Sequence, residues 1–290
     1  GTLDTSFDPG TGGNGVVNAV ALQPNGQVLV GGTFTTIGTN AINRIARLNA
    51  DGTFDAAFNV GAGANGTVRT MVVDPFGRIL IAGGFTSING TPRIGIARLN
   101  PDGSLDGGFD PGTGLNGPVN ALALQNNGQV VIGGAFTTFS NFNALRVARL
   151  NGNGSFDTNF SANVGGTVNA VAVQTDGRIV IGGSFLTVGT TNISRVARLN
   201  ANGTLDTGFN PGTAADGDIN DILIQPVDNK LVLAGAFTQK WHRAFESERH
   251  AGYVVRSRCG CQCGDQCHRV AAGYQAFDWW RVHQLQRHEH

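Results

Sequence analysis

Residues 167–209 read TVNAVAVQTDGRIVIGGSFLTVGTTNISRVARLNANGTLDTGF. Four short apolar runs lie in this stretch, at residues 168–173, 178–185, 194–200 and 204–209, each bounded by Gly, Asn, Asp or Thr. Runs of that length between turn-forming residues read as strands. Imperfect copies of the unit fill the chain from its start to about Gln239, so the whole body inherits the same reading.

The copies keep register. Ala-Arg-Leu-Asn recurs at residues 46–49, 97–100, 148–151 and 197–200, and the closing phenylalanine falls at Phe7, Phe58, Phe109, Phe160 and Phe209. A glycine pair shortly before a phenylalanine recurs as Gly31-Gly32, Gly83-Gly84, Gly133-Gly134 and Gly182-Gly183. This spacing is close to that of four-stranded propeller blades, about 40–50 residues, and far from solenoid coils of about 20–30. In the first full unit, residues 16–22 read as strand one and 27–34 as strand two. Residues 35–41 read as a longer loop, 43–49 as strand three and 53–58 as strand four. Asn25-Gly26 and Asp51-Gly52 supply the positive φ of tight hairpin turns. The Gly-Gly pair inside strand two suits a bulge or a close backbone approach.

Runs such as VVNAVAL and QVLVGG are apolar on both faces, as in a strand whose sheet is covered on both sides. One blade cannot supply that cover, so neighbouring copies must. The expected fold is all-β, an incomplete β-propeller of four-stranded antiparallel blades with a non-homologous C-terminal tail. Full blades are expected at residues 15–58, 66–109, 117–160 and 166–209, with a partial blade at 217–239. Residues 1–7 are expected to be the outer strand of a missing blade. In an up-and-down blade the connections after strands one and three share one side, and here they are tight turns. Those after strands two and four are longer and more varied, including residues 8–15, 35–40, 110–117 and 138–143. Binding is expected on that loop-rich side.

Composition narrows the function. The 44 glycines are about twice the usual share, and the 14% of charged residues is low. A formal charge of zero leaves no footprint for nucleic acid or an anionic membrane. Neither a transmembrane run nor a signal peptide is visible. The chain opens at Gly1 in mid-pattern and reads as a fragment, so a missing leader says nothing of export. The first cysteine is Cys259, which fits a secreted protein without disulfides and a cytosolic one alike.

Several constellations suggest chemistry. Residues 49–55, NADGTFD, place oxygen ligands at alternate positions around a glycine, as calcium loops do. The distal bidentate Glu and further carboxylates are lacking, and a plain hairpin turn explains the residues. Arg47, Arg98, Arg149 and Arg198 stand inside apolar strands, each followed eight positions on by Asp55, Asp106, Asp157 or Asp206. Across a hairpin such partners lie diagonally within reach. A repeated internal ion pair is the expected, structural role, because a binding site needs an asymmetric set of groups. Up to Gln239 there is no His, Cys or Glu, so acid–base work would fall to Asp8, Asp110, Asp216 and Asp218 in the loops. Asn65, Asn89 and Asn202 each open an Asn-Gly-Thr glycosylation pattern, more simply explained as turn asparagines.

LQPNGQVLVGGTF with NRIARLNADGTFDAAF (residues 22–34 and 43–58), and VQTDGRIVIGGSF with SRVARLNANGTLDTGF (173–185 and 194–209), resemble the delta-60 repeat, a β-propeller family of bacterial proteins. The resemblance implies a propeller without established chemistry, often beside adhesion-type modules on surface proteins, and supplies no catalytic or ligand residue. The expected function is a non-catalytic scaffold or binding module of a bacterial surface or secreted protein, with a protein or glycan as partner. No cofactor, metal, nucleic acid or membrane insertion is expected. The rival reading is a carbohydrate-active enzyme or lectin-like glycan binder using the loop-rich side.

Beyond Gln239 the composition changes: every cysteine, histidine and tryptophan falls in residues 240–290. Cys259, Cys261, Cys263, Cys267 and His268 look like a zinc cluster, but not with the spacing of a usual finger. Shifting the codons by one base forces Trp279-Trp280 to Gly-Gly and Trp241 to Gly, restoring the surroundings of residues 178–185 and 89–91. The expectation is a frameshifted tail that packs poorly.

Overall fold

The computed structural model describes residues 2, 4–193, 195–209, 211 and 215–237. The expected frameshifted tail at 240–290 and its cysteine cluster lie outside the described residues, as do Gly1 and the 238–239 end of the partial blade.

The chain is all-β, a row of antiparallel blades, with no helix among the described residues. Blade one orders Val17–Leu22, Val28–Gly32 and Ile45–Leu48 as neighbours in sequence. Blade two repeats this with Val68–Val73, Ile79–Gly83 and Ile96–Leu99, and blade three with Val119–Leu124, Val130–Gly134 and Val147–Leu150. Blade four has Val168–Val173, Ile179–Gly183 and Val196–Leu199, and blade five pairs Ile219–Ile224 with Leu231–Gly235. First strands of successive blades lie side by side, forming an inner row.

Two details of the blade differ from the sequence reading. The expected fourth strand shrinks to one bridge, Leu48 with Phe54, repeated at Leu99–Leu105, Leu150–Phe156 and Leu199–Leu205. Its cause is the aspartate one residue on: Asp55 Oδ1 accepts the Ala57 N–H at 2.9 Å and its carbonyl accepts from Phe58, which curls the chain into a turn. Residues 4–7 of the outer strand expected at 1–7 make the corresponding turn, and the Asp8 N–H that follows donates to the Asp51 carbonyl at 2.8 Å. The second difference lies in the long loop after strand two. It carries its own small hairpin, Thr36–Ile37 with Asn40–Ala41 in blade one, repeated in blades two to four.

The Gly-Gly pair has two separate causes. In blade three, a Cβ on Gly133 would meet Val168 Cγ1 at 2.5 Å and Val171 Cγ2 at 2.7 Å, both on the next blade. A Cβ on Gly134 would sit 2.2 Å from the Pro118 carbonyl of its own blade, beside the bulge between Val119 and Ala121. One glycine therefore lets blades stack closely and the other admits the bulge. The core follows the stacking: Val68, Val119, Val168 and Ile219, the first apolar residues of the inner strands, are fully buried against the preceding blade.

Candidate functional site

The four arginine–aspartate pairs come together in every full blade. Arg98 Nε donates to Asp106 Oδ2 at 2.6 Å, and the other three pairs match at 2.7 Å. The arginines do two further things that the sequence did not disclose. Each guanidinium lies over its closing phenylalanine, Arg98 being 5.0 Å from the Phe109 ring centre. In blades one to three Nη1 also crosses to the next blade, from Arg47 to the Pro101 carbonyl at 2.7 Å and from Arg98 to the Gly152 carbonyl at 2.6 Å. Arg149 reaches the Ala201 carbonyl in the same way. The signal was in the sequence, since Arg, Asp and Phe keep one spacing in all four blades, but the carbonyl belongs to the next copy.

Burial works to raise the pKa of Asp106. Hydrogen bonds from Arg98 and the Gly108 N–H, with the charges of Arg98 and Arg78, outweigh it and hold the carboxyl below its ordinary value. Asp55, Asp157 and Asp206 are lowered by the same contest between burial and their arginine and backbone partners. These four aspartates are held ionised and consumed by the scaffold.

The calcium-like turns are also satisfied internally. Asp51 Oδ1 accepts from the Thr53 N–H at 3.0 Å and its hydroxyl at 2.7 Å, and Asn49 Nδ2 donates to Thr53 Oγ1 at 3.0 Å. Asp55 turns away to Arg47, so the alternate oxygens do not converge on one point. Of the glycosylation-type asparagines, Asn65 Oδ1 accepts from the Thr86 and Ser87 N–H groups at 2.8 and 2.9 Å. It thereby clamps the entry loop to the small hairpin, and Asn14 and Asn116 do the same in blades one and three. Asn89 Oδ1 accepts from the Ala62 N–H, and Asn202 Oδ1 from Thr204.

The loop carboxylates lie before three different blades. Asp8 Oδ1 accepts from the Gly10 N–H at 2.8 Å before blade one, and Asp110 Oδ1 from the Gly112 N–H at 3.0 Å before blade three. Asp218 Oδ1 faces Arg195 Nε at 3.4 Å before blade five, and Asp216 stands exposed beside it.

Asymmetry on the loop-rich side concentrates where blade two meets blade three. Arg93 stands where the other full blades have Ile42, Ala144 and Ile193, and Gly95 where they have Arg44, Arg146 and Arg195. Arg44 and Arg195 each bond a carbonyl of the next entry loop, Ala64 and Ala215 respectively, at 2.8 Å. At Gly95 Leu115 fills that space, and an added Cβ would meet it at 2.8 Å. Arg93 Nη1 instead lies 3.6 Å from Asp110 Oδ1, beyond hydrogen-bond range, and its Nε has no hydrogen-bond partner among the described residues. The entry loop in turn touches the tip of the blade-three hairpin: Ser140 N–H donates to the Gly114 carbonyl at 2.6 Å, and Ser140 Oγ to that of Pro111 at 3.2 Å. On that tip Phe142 replaces the Asn40, Thr91 and Thr191 of the other blades. Its ring stacks on Phe156 with centres 4.8 Å apart and planes 10° from parallel, and Phe156 lies 5.7 Å from Phe139.

Among the described residues no helix is long and apolar enough to cross a membrane. No curated protein matches the chain. Similar solved structures include the extracellular domain assigned to a hybrid two-component system of B. thetaiotaomicron, at 18% identity and TM-score 0.48, over 76% of this chain and 26% of that one. A protein assigned as a gluconolactonase is 16% identical with TM-score 0.44, over 74% and 69% of the two chains. The WD40 β-propeller domain of Doa1 is 13% identical with TM-score 0.46, over 78% and 77%. The chain thus spans about a quarter of the length of the first of these. A family model described as "Domain of unknown function (DUF5122) beta-propeller" matches residues 23–58, 77–109, 125–160 and 174–209, one match in each full blade. With four copies in register on a row of propeller blades, residues 23–209 are a run of DUF5122 β-propeller repeats.

Proposed function

We propose that this chain is a non-catalytic propeller module of a bacterial surface or secreted protein, and that it binds a partner through its loop-rich side. One observation carries the reading. The acids that recur in the blades are each paired with an arginine that also stacks on a closing phenylalanine, so they hold the scaffold rather than face a substrate. The loop acids lie before three different blades, and Asp8 and Asp110 each spend one oxygen on their own loop backbone. Incubating the protein with a polysaccharide panel, with reducing ends measured in parallel with binding, tests the proposal. Binding without turnover is expected. Turnover that disappears in Asp110→Asn would replace this reading with an enzyme.

A further inference from the structure

We propose that the junction of blades two and three is a carbohydrate-binding subsite, in which Phe142 is the stacking platform and Asp110 and Asn141 supply polar contacts. The proposal rests on the binding-module reading and names its ligand class.

Repetition supplies the background against which this place stands out. A side chain that recurs in every blade serves the blade; one that breaks the pattern does not have that explanation. At this junction three departures meet around one loop: Arg93, Gly95 and Phe142. A scattered exposed apolar residue is ordinary on any surface. Phe142 differs in being pinned. One ring face is covered by Phe156 in a near-parallel stack, while the residue remains 45% exposed. Its presentation therefore costs no rotamer freedom on binding. A flat aromatic face with a negative quadrupole suits the polarised C–H face of a sugar ring, and the ring's hydroxyls then point outward to the platform's rim.

Polar groups stand on the same hairpin tip and on the loop it touches. Asn141 precedes Phe142, is exposed, and its side chain has no hydrogen-bond partner among the described residues. Its amide offers donor and acceptor together, as a hydroxyl pair requires. On the adjoining loop the Asp110 side chain is 64% exposed. Only its Oδ1 is engaged, with the Gly112 N–H, leaving Oδ2 to accept from hydroxyls. Arg93, too distant for a hydrogen bond, keeps that carboxylate beside a positive charge without closing it off. An apolar surface with a few convergent polar groups is the usual make-up of a small-molecule site. With Arg93 beside Asp110 and a neutral amide at Asn141, the flanking groups carry no net charge, which suits a neutral sugar.

The test uses the full chain with laminarihexaose, cellohexaose, xylohexaose, maltohexaose and chitohexaose, each titrated calorimetrically. Binding to at least one is expected, with Phe142→Ala weakening it roughly tenfold or more and Phe142→Trp retaining it. Asn141→Ala and Asp110→Asn should each weaken it severalfold. Phe76→Ala, at a 77% exposed phenylalanine in the turn between strands one and two of blade two, should leave binding unchanged. Melting temperatures of the variants separate lost binding from lost folding, and Phe142→Trp keeps the platform if alanine unsettles the stack. Sugar binding unaffected by Phe142→Ala overturns this site but leaves the module reading standing. Binding of none of the five sugars overturns the ligand class, and hydrolysis of any of them overturns the module reading itself.

Discussion

Arg98 ties three pieces of chain together with one planar group: the Asp106 carboxylate, the Phe109 ring and the Gly152 carbonyl of the next blade. Its side chain is 8% exposed and that of Asp106 is 16%, so removing the arginine strands an acid largely out of water. Arg98→Ala should cost about 3–5 kcal/mol in chemical denaturation, the range for breaking a buried pair from one side. A loss of about 1 kcal/mol or less would mean that the pair behaves as a solvated one. Acid should act on the same contact. The folded pKa of Asp106 lies below the ordinary 3.8, so its contribution is complete above that value and fades as pH falls through it toward the folded one. Thermal melts between neutral pH and about pH 2 should therefore fall steeply below about pH 4. Asp106→Asn should start lower and flatten that slope, and an unchanged slope would show that the pair titrates as it does in the unfolded chain. The spacing of Arg and Asp made this contact legible in the sequence. The carbonyl across the blade boundary was not, because a backbone acceptor leaves no residue-type signal.

At the scale of the element, the glycine pair and the closing turn show how far a pattern can be read. NADGTFDAAF has an alternation that suits a fourth strand, yet the structure keeps one bridge, at Phe54. The Asp55 side chain captures the Ala57 N–H and bends the chain before a ladder can form. Local side-chain competition of this kind is invisible to a count of apolar positions. The small hairpin was missed for a different reason: two-residue strands such as Thr36–Ile37 are too short for any periodicity. The two glycines, by contrast, announced a close approach, and the structure divides them by what they approach. Gly133 faces side-chain tips of the next blade, which can yield; blade two has Ala82 at the matching place. Gly134 faces a backbone carbonyl at 2.2 Å, which cannot yield without opening the bulge. Gly133→Ala should then cost about 1–3 kcal/mol, the usual range for overpacking. Gly134→Ala should cost more and disturb the pairing of Val119 with its partner strand. Urea unfolding of the two variants ranks them directly, and a milder effect at Gly134 would sink the division of roles.

Stacking decides the behaviour of the whole molecule. Each blade buries its inner strand under the preceding one, so stability is passed from neighbour to neighbour as in other repeat architectures. The equivalent inner-strand residues record how complete that cover is. Met71, Leu122, Val171 and Ile222 are 5–9% exposed, whereas Val20 in blade one is 36% exposed and Leu22 beside it 37%. In blade five Leu223 is 39% exposed, and two strands are paired among the described residues. The repeat made the blades and their order legible before any coordinates, because the apolar runs cannot be covered within a single copy. It could not place the candidate sugar site. Phe142, Asp110 and Arg93 come from three loops whose meeting depends on how one blade sits against the next. The same nearest-neighbour logic sets a gradient of opening. Amides of Val119–Leu124 and Val130–Gly134, with a blade on either side, should open only with the structure as a whole. Those of Val17–Leu22 and Ile219–Ile224 should open locally at lower free energy. Native-state hydrogen exchange read by peptide should show protection highest in blade three and falling toward blades one and five. Arg98→Ala, which cuts the staple from blade two to blade three, should lower protection most on either side of that boundary. Uniform protection across the five blades, or an Arg98→Ala effect spread evenly over them, would show one cooperative unit in place of a chain of coupled blades.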